Sequence, residues 1–429
     1  METNSPSPAE TRVPERWAAK FFTIWTGQAF SLIGSSLVQF ALVWWITQKT
    51  GSATSLLTAT LVALLPQIFL GPFVGALVDR WNRRLIMIVA DTSIAVATAG
   101  LMYLFATGKV EVWHIYAISL FRSLGGTFHY PAMSASTSLM VPDKHLARVA
   151  GANQLLQGVV TIFAPPLGAL LISVMPTQHV LAIDIGTAML AVFPLFFIHI
   201  PHPPQQEAKA NGTLAKTSYW RDLVDGFRYV IKWPGLFGLI LLAMVLNFLL
   251  SPSSSLLPLL ITKEFNGGAQ QLAWVESVFG VGIILGGITL SAWGGFKRRI
   301  ITSFVGVIGI GLGVVLTGLA PASMFWLVLA ANFILGFTQV FANGPLHAIF
   351  QSAIAPEMQG RVFSLIGAGA TAMMPLSLMV AGPLTDAVGV RLWYVAGGSI
   401  CILMILAAFF IKDIRDIEEN AHSKTPGTA

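Results

Sequence analysis

Residues 75–84 read Gly75-Ala76-Leu77-Val78-Asp79-Arg80-Trp81-Asn82-Arg83-Arg84. The run before it, 54–78, contains no charged residue, and the run after it, 85–107, contains only Asp91. Each is long enough to cross a bilayer as a helix, which takes about 20 mostly apolar residues. The stretch is therefore a short, strongly basic connection between two membrane spans.

The same alternation runs through the chain. Apolar segments fall roughly at 21–47, 54–78, 85–107, 112–140, 149–174, 178–199, 235–262, 271–294, 300–319, 323–350, 362–384 and 390–411. The runs are continuous, whereas a transmembrane barrel shows short alternating strands. Composition agrees: 55% of the 429 residues are hydrophobic and 10% charged, against about 25% charged in a soluble domain. This excludes a soluble globular protein and a disordered one. The fold class expected is an all-α membrane protein of twelve transmembrane helices in two six-helix bundles.

The net charge of +6 suggests an anionic partner until the positions are counted. With the N-terminus placed in the cytoplasm, 20 Lys and Arg fall on the cytoplasmic side and 4 on the other, and Arg122 lies inside a span. That bias is the positive-inside rule, so no nucleic-acid partner is expected and both termini are expected in the cytoplasm. No apolar run precedes residue 20, so the first span is not read as a removable signal peptide. Cys401 is the only cysteine, which leaves no disulfide framework. The sequence has no P-loop, no H-E-x-x-H and no Cys/His cluster, so no ATP site, metal or other cofactor is expected.

The longest connection, 200–234, opens with Pro201-His202-Pro203-Pro204, a linker composition. It continues as Tyr219–Val230, an amphipathic interfacial pattern. The organisation expected is an N-tail 1–20, a bundle 21–199, a linker 200–234, a second bundle 235–411 and a C-tail 412–429. The halves resemble each other at an offset of about 212–214 residues: Leu124-Gly125 against Leu335-Gly336, Pro142-Asp143…Arg148-Val149 against Pro356-Glu357…Arg361-Val362. Such a repeat implies two bundles about a pseudo-twofold axis along the membrane normal, with the binding site between them.

Polar residues at helical spacing mark faces turned away from lipid. Segment 1 carries Gln28, Ser31, Ser35 and Gln39, and segment 4 carries Ser119, Arg122, Gly126 and Tyr130. Segment 7 carries Asn247, Ser251 and Ser254, and segment 10 carries Asn332, Gly336, Gln339, Asn343 and His347. These four stripes are expected to line one cavity. The small-xxx-small pairs Gly71/Gly75 and Gly282/Gly286 are expected to mark close helix packing.

Arg122 lies about 15 Å into its span. Unpaired, it would cost at least about 2.5–3.5 kcal/mol there, so it must face a cavity or a carboxylate. Asp184 and Glu276 lie about 9 Å from the outer ends of their spans and Asp91 at a similar depth on the cytoplasmic side. They are candidate protonatable groups or counter-charges for a cationic substrate. Asp79 stands at a helix C-terminus, against the macrodipole, and needs another partner.

These residues resemble the major facilitator superfamily. Gly75, Asp79, Arg80, Arg83 and Arg84 match its motif A (G-x-x-x-D-R-x-x-R-R), with Asn82 where glycine is common. The resemblance implies a conformational latch in which the Asp meets the N-terminus of segment 11, near Arg361. Arg122 to Gly126 is similar to motif B, linked to proton transfer. Gly158, Pro165, Pro166 and Gly168 are similar to the antiporter motif C, with Ala164 or Pro165 where its Gly-Pro begins. The second half lacks the motif A Asp, Ser291 standing near its place. The resemblance is closer still to the macrolide-efflux branch, on Ile24–Ala29, Lys49–Ala53, Phe121-Arg122-Ser123 with Phe128-His129 and Pro131-Ala132, Ala182-Ile183-Asp184 and Gly360–Leu365.

The resemblance implies a proton-driven exporter of macrolides or similar amphiphiles in the cell membrane. Proton coupling would run through Arg122, Asp184, Glu276 and Asp91. A cavity would be lined by Gln28, Ser31, Ser35, Gln39, Tyr130, Asn247, Ser251, Gln339 and Asn343. A monomer in the lipid bilayer is expected. Related branches export siderophores or flip lysophospholipids. A channel would need a symmetric pore of identical subunits, and a membrane enzyme a paired nucleophile and base at depth; neither pattern stands out.

Overall fold

The computed structural model describes residues 17–200 and 219–418, apart from a few side chains inside helices, Asp79 among them. Residues 1–16 of the expected N-tail, the Pro-rich start of the linker and the far part of the C-tail lie outside the described residues; residues 17–20, expected in the N-tail, are already the first turn of a helix.

The first bundle is α1 (Trp17–Thr50), α2 (Ala53–Arg80), α3 (Arg83–Ala106), α4 (Val112–Met140), α5 (Asp143–Val174) and α6 (Thr177–Phe197). A connecting helix follows, α7 (Tyr219–Ile231). The second bundle is α8 (Pro234–Phe265), α9 (Ala269–Trp293), α10 (Arg299–Leu319), α11 (Phe325–Ala353), α12 (Pro356–Val388) and α13 (Val390–Phe410), with a short α14 (Lys412–Arg415) after it. Local chemistry sets the breaks. Ser52 caps α2 by accepting from Ser55 N, and Asn82 caps α3 by accepting from Leu85 N at 3.1 Å. Asn82 thus has a capping role in place of the family's glycine. Gly294 ends α9 in the left-handed region at φ 80°.

Among the described residues, eleven helices are long and apolar enough to cross a membrane. The exception among the bundle helices is α4, whose apolarity is diluted by Arg122, His129, Tyr130 and several serines. It packs between α2 and α3 and completes the first bundle. Many helices exceed the bilayer's need: at 1.5 Å per residue the 34 residues of α1 run about 51 Å, which calls for tilt.

The two ends of the bundle differ in their cores. Call the end where α6 stops and α8 begins the linker end, and the other the far end. At the far end one core crosses both bundles, joining Leu42, Ile46, Leu56 and Leu57 to Leu256, Leu260, Leu378 and Trp393. At the linker end there are two cores, one in each bundle. The first holds Phe21, Ile24, Val78 and Met87; the second holds Trp233, Leu236, Phe304 and Ile349.

The expected interfacial helix α7 has a double role. Val230 is buried in the linker-end core of the second bundle. Gly226 lies so close to α12 that an added Cβ would meet Arg361 O at 3.1 Å. Val224, Phe227 and Ile231 remain exposed at helical spacing, an apolar face suited to a membrane surface.

Candidate functional site

Between the bundles, about midway along the helices, lies a cavity of ≈ 940 Å³. Ser35 and Gln39 of α1 line it, as do Asn247 and Ser251 of α8 and Asn332, Gln339 and Asn343 of α11. Three of the four expected stripes therefore reach it. The fourth does not: no α4 residue is among the lining, and Tyr130 is 76% exposed elsewhere. Gln28 and Ser31 are also absent from the wall, because this part of the α1 stripe turns into its own bundle. Four helices outside the expected stripes supply the rest: α5 with Gln157, Thr161 and Pro165, α9 with Glu276, α10 with Val307, Ile310 and Val314, and α13 with Tyr394. The four-residue spacing of Gln157, Thr161 and Pro165 was a readable stripe, but it overlaps the motif C glycines and prolines.

Glu276 is the one charged side chain among the described residues of this wall, and no hydrogen bond or ion pair to its carboxylate is found there. Asp184 differs in every respect. It is 1% exposed, although its position near a helix end suggested access to water. Arg122 Nη1 donates to Asp184 Oδ2 at 2.5 Å and to Thr98 Oγ1 at 2.7 Å. Ser35 Oγ donates to Asp184 Oδ1 at 3.1 Å and Thr98 Oγ1 to Oδ2 at 3.4 Å. Gly34 lets α1 approach this point, since a Cβ there would run into Thr187 and Asp184 of α6. Arg122 thus meets a carboxylate rather than the cavity, and Ser35 connects that pair to the cavity wall.

Asp91 is also buried. Gln28 Nε2 donates to its Oδ2 at 3.0 Å, and His129 Nε2 lies 3.4 Å from its Oδ1.

The residues of the basic stretch work within the first bundle. Arg84 donates to Leu195 O and, at 2.5 Å, to Phe196 O, satisfying the last carbonyls of α6. Arg83 Nη1 donates to Ala135 O at 3.3 Å. Arg80 is exposed. The Asp79 side chain lies outside the described residues. Gly71 and Gly75 were expected to pack closely, yet a Cβ at either meets nothing within 4 Å. Gly282 and Gly286 do pack closely: a Cβ at Gly282 would meet Phe333 O at 2.5 Å and one at Gly286 the backbone of Phe337, both on α11. In α5, Gly168 makes room for Phe40, whose ring would lie 2.9 Å from an added Cβ, Pro165 borders the cavity beside Pro166, and Gly158 faces open space.

The far end is closed by a contact that sequence reasoning missed. Asp386, two residues before the end of α12, receives the backbone N–H of Ala53 at 2.7 Å and of Thr54 at 3.0 Å. Ser52 Oγ donates to it at 2.8 Å. A carboxylate of the second bundle thus caps the N-terminus of α2 in the first. Beside it Gly382 lies against Thr54, its added Cβ 3.0 Å from Thr54 Cα. Lower down, Ser277 Oγ donates to Ile162 O at 2.7 Å across α9 and α5. The signal was present: Gly382-Pro383-Leu384-Thr385-Asp386 repeats the G-x-L-x-D of Gly75–Asp79.

Known proteins are similar to this chain in sequence and in fold. Macrolide efflux protein A of Streptococcus pyogenes is 34% identical over 402 residues, covering 94% of this chain and 98% of that protein. Multidrug efflux pump Tap of Mycolicibacterium fortuitum is 25% identical over 401 residues, covering 90% and 94%. A bacterial homologue of the iron transporter ferroportin, solved in an inward-facing state, superposes with a TM-score of 0.67 at 14% identity, covering 91% and 98%. The sequence profile of the Major Facilitator Superfamily matches residues 24–259 and again 236–428. Two six-helix bundles, a cavity between them and a relative alike along nearly its whole length lead to one conclusion: the chain belongs to the Major Facilitator Superfamily, in the branch of macrolide efflux protein A.

Proposed function

We propose that the chain is a proton-driven exporter of amphiphilic drugs, macrolides foremost, working as a monomer in the cell membrane by alternating access. The observation that carries this is the cavity with its unpartnered carboxylate, Glu276. Its volume is within the roughly 300–1,000 Å³ of drug-binding pockets, and its wall mixes apolar side chains with hydroxyls and amides. The names of the efflux relatives support the choice of substrate. The linker end is cytoplasmic in this reading, supported by the 20-to-4 charge bias. In this reading the two bundles span about 21–199 and 235–411, with 200–234 as the linker between them.

With the linker end open, an amphiphilic amine enters the cavity and its cation pairs with Glu276. The bundles then rock and expose the cavity outside. A proton from that side takes the carboxylate, and the amine leaves. Drug and proton thus alternate on one group, which fits a transporter rather than a channel or an enzyme. The Arg122–Asp184 pair, joined to the wall by Ser35, senses the same exchange.

Erythromycin efflux from cells tests the reading, with and without an uncoupler, beside a siderophore as the rival cargo. Wild type should export the macrolide and stop when uncoupled. Glu276→Gln should reach the membrane in normal amount and lose at least about tenfold in rate. Export of the siderophore alone, or uncoupler-insensitive export, would reject the proposal.

A further inference from the structure

The buried polar groups of the first bundle form two layers with a regular offset. The outer layer is Ser35, Thr98, Arg122 and Asp184. The inner layer is Gln28, Asp91 and His129. On α1 the step from Gln28 to Ser35 is seven residues, on α3 Asp91 to Thr98 is seven, and on α4 Arg122 to His129 is seven. Seven residues are nearly two turns, so each pair shares a helix face at levels about 10.5 Å apart. Halfway between, α3 presents Ile94 and α4 presents Gly125. A Cβ on Gly125 would lie 2.7 Å from Ile94 Cδ1, so Ile94 fills the gap and separates the layers with hydrocarbon.

Gln28, Asp91 and His129 are not among the residues that line the cavity, and the pairing of drug with Glu276 does not need them. A buried carboxylate beside an imidazole is costly to keep without purpose. His129 Nε2 approaches Asp91 but forms no aligned hydrogen bond with it. The His129 side chain is 19% exposed, the more open of the two.

We propose that His129, held by Asp91, is a proton-exchange site on the cytoplasmic side of the Arg122–Asp184 pair. The direction of travel rests on the export reading above. When α3 and α4 shift, His129 takes up a proton that entered from outside and was passed on by the Asp184 carboxyl of the outer layer; in the linker-open state the imidazolium gives that proton to cytoplasmic water and becomes neutral, while Asp91 is held by Gln28. Ile94 on Gly125 keeps this proton from the outer layer until α3 and α4 shift. The surroundings bring no competing charge at this level. On α1 the facing group is Gln28, and α2 and α5 carry no charge between their cytoplasmic ends and their far ends. α6 carries His179 and Asp184, both nearer the far end. Arg122 is two turns away on α4 itself. Lys20, Asp79, Arg80, Arg83, Arg84, Asp143, Lys144, His145 and Arg148 stand at the cytoplasmic helix ends.

The full chain in proteoliposomes, with labelled erythromycin as the probe, tests this. Counterflow at equal pH needs no net proton release, whereas gradient-driven transport does. His129→Gln should keep counterflow within about twofold, lose at least about tenfold of driven transport, and lose the dependence on cytoplasmic-side pH between 6 and 8. Asp91→Asn should give the same split. Unchanged driven transport with an unchanged pH profile would overturn the proposal, and so would equal loss of both modes, which marks a structural role. A wild type that shows no counterflow rejects the drug-export reading instead. The histidine is then judged by carbethoxylation of the purified chain, read by mass spectrometry: reaction at His129, several-fold faster at pH 6.5 in Asp91→Asn, supports the site, and no reaction between pH 5.5 and 8.5 overturns it.

Discussion

The far end and the linker end are built from the same helices and are in opposite states. At the far end, apolar residues of both bundles merge into one core, and Asp386 joins α12 to the start of α2 with three hydrogen bonds. At the linker end each bundle keeps its own core. Glycines that could bring helices together there, Gly71, Gly75, Gly360 and Gly367, have nothing within 4 Å of an added Cβ. The difference teaches that the closed end is held by a few directed contacts laid over a shared core. The open end holds surfaces with no partner in this state, and these must find one when the other end opens.

The strongest way to break this comparison is to make the far end permanent. Ser52→Cys with Asp386→Cys places two thiols where Ser52 Oγ and the Asp386 carboxylate are 2.8 Å apart, within reach of a disulfide. The native Cys401 is buried and does not compete. Oxidation should reduce macrolide export to background, and a reducing agent should restore it. Full export by the cross-linked chain would mean that the far end need not open.

A milder test removes only the cap. Asp386→Ala loses three hydrogen bonds to a charged acceptor, and losses of about 1.5–3 kcal/mol are usual for such groups. The balance should move about tenfold or more toward the state with the linker end closed. A cysteine at Gly75→Cys reports it: labelling by a water-soluble maleimide should slow by about tenfold when Asp386→Ala is added. Equal labelling rates would show that Asp386 does not hold the far end.

The smallest expected effect concerns packing. Gly286→Ala forces a methyl onto the Phe337 backbone and should cost about 1–3 kcal/mol in detergent unfolding. Gly75→Ala meets open space and should be neutral or stabilising by at most about 1 kcal/mol. Equal losses would mean that Gly75 is already packed and the linker end is not open.

Much of the fold was legible because membrane insertion writes itself into composition. Twelve apolar runs and a one-sided distribution of Lys and Arg predict spans and pairing without any tertiary information. The site was legible only in part. Periodicity identifies a polar face but not its direction, so Tyr130 was grouped with Gln339 although the two face different surroundings. Arg122 had to have a partner on energetic grounds, but that partner is 62 residues away on another helix, and no local pattern names it. Asp386 escaped because a carboxylate near a helix end passes for an interfacial charge. Only the α2 N-terminus opposite gives it a role.

That contact has a mechanical consequence. α2 and α12 run in opposite directions, so each end of the pair sets the start of one helix beside the finish of the other. At the far end the finishing helix supplies Asp386; at the linker end α2 finishes at Arg80 and α12 starts at Pro356. With 28 residues α2 is about 42 Å long. Rocking it by about 15° around its middle displaces each tip by about 5 Å, beyond the reach of a hydrogen bond. The α2 tip therefore cannot stay fastened to Asp386 once the helix rocks. The pair behaves as a seesaw with a clasp under one seat, and making that clasp permanent stops the motion that the clasp otherwise only delays.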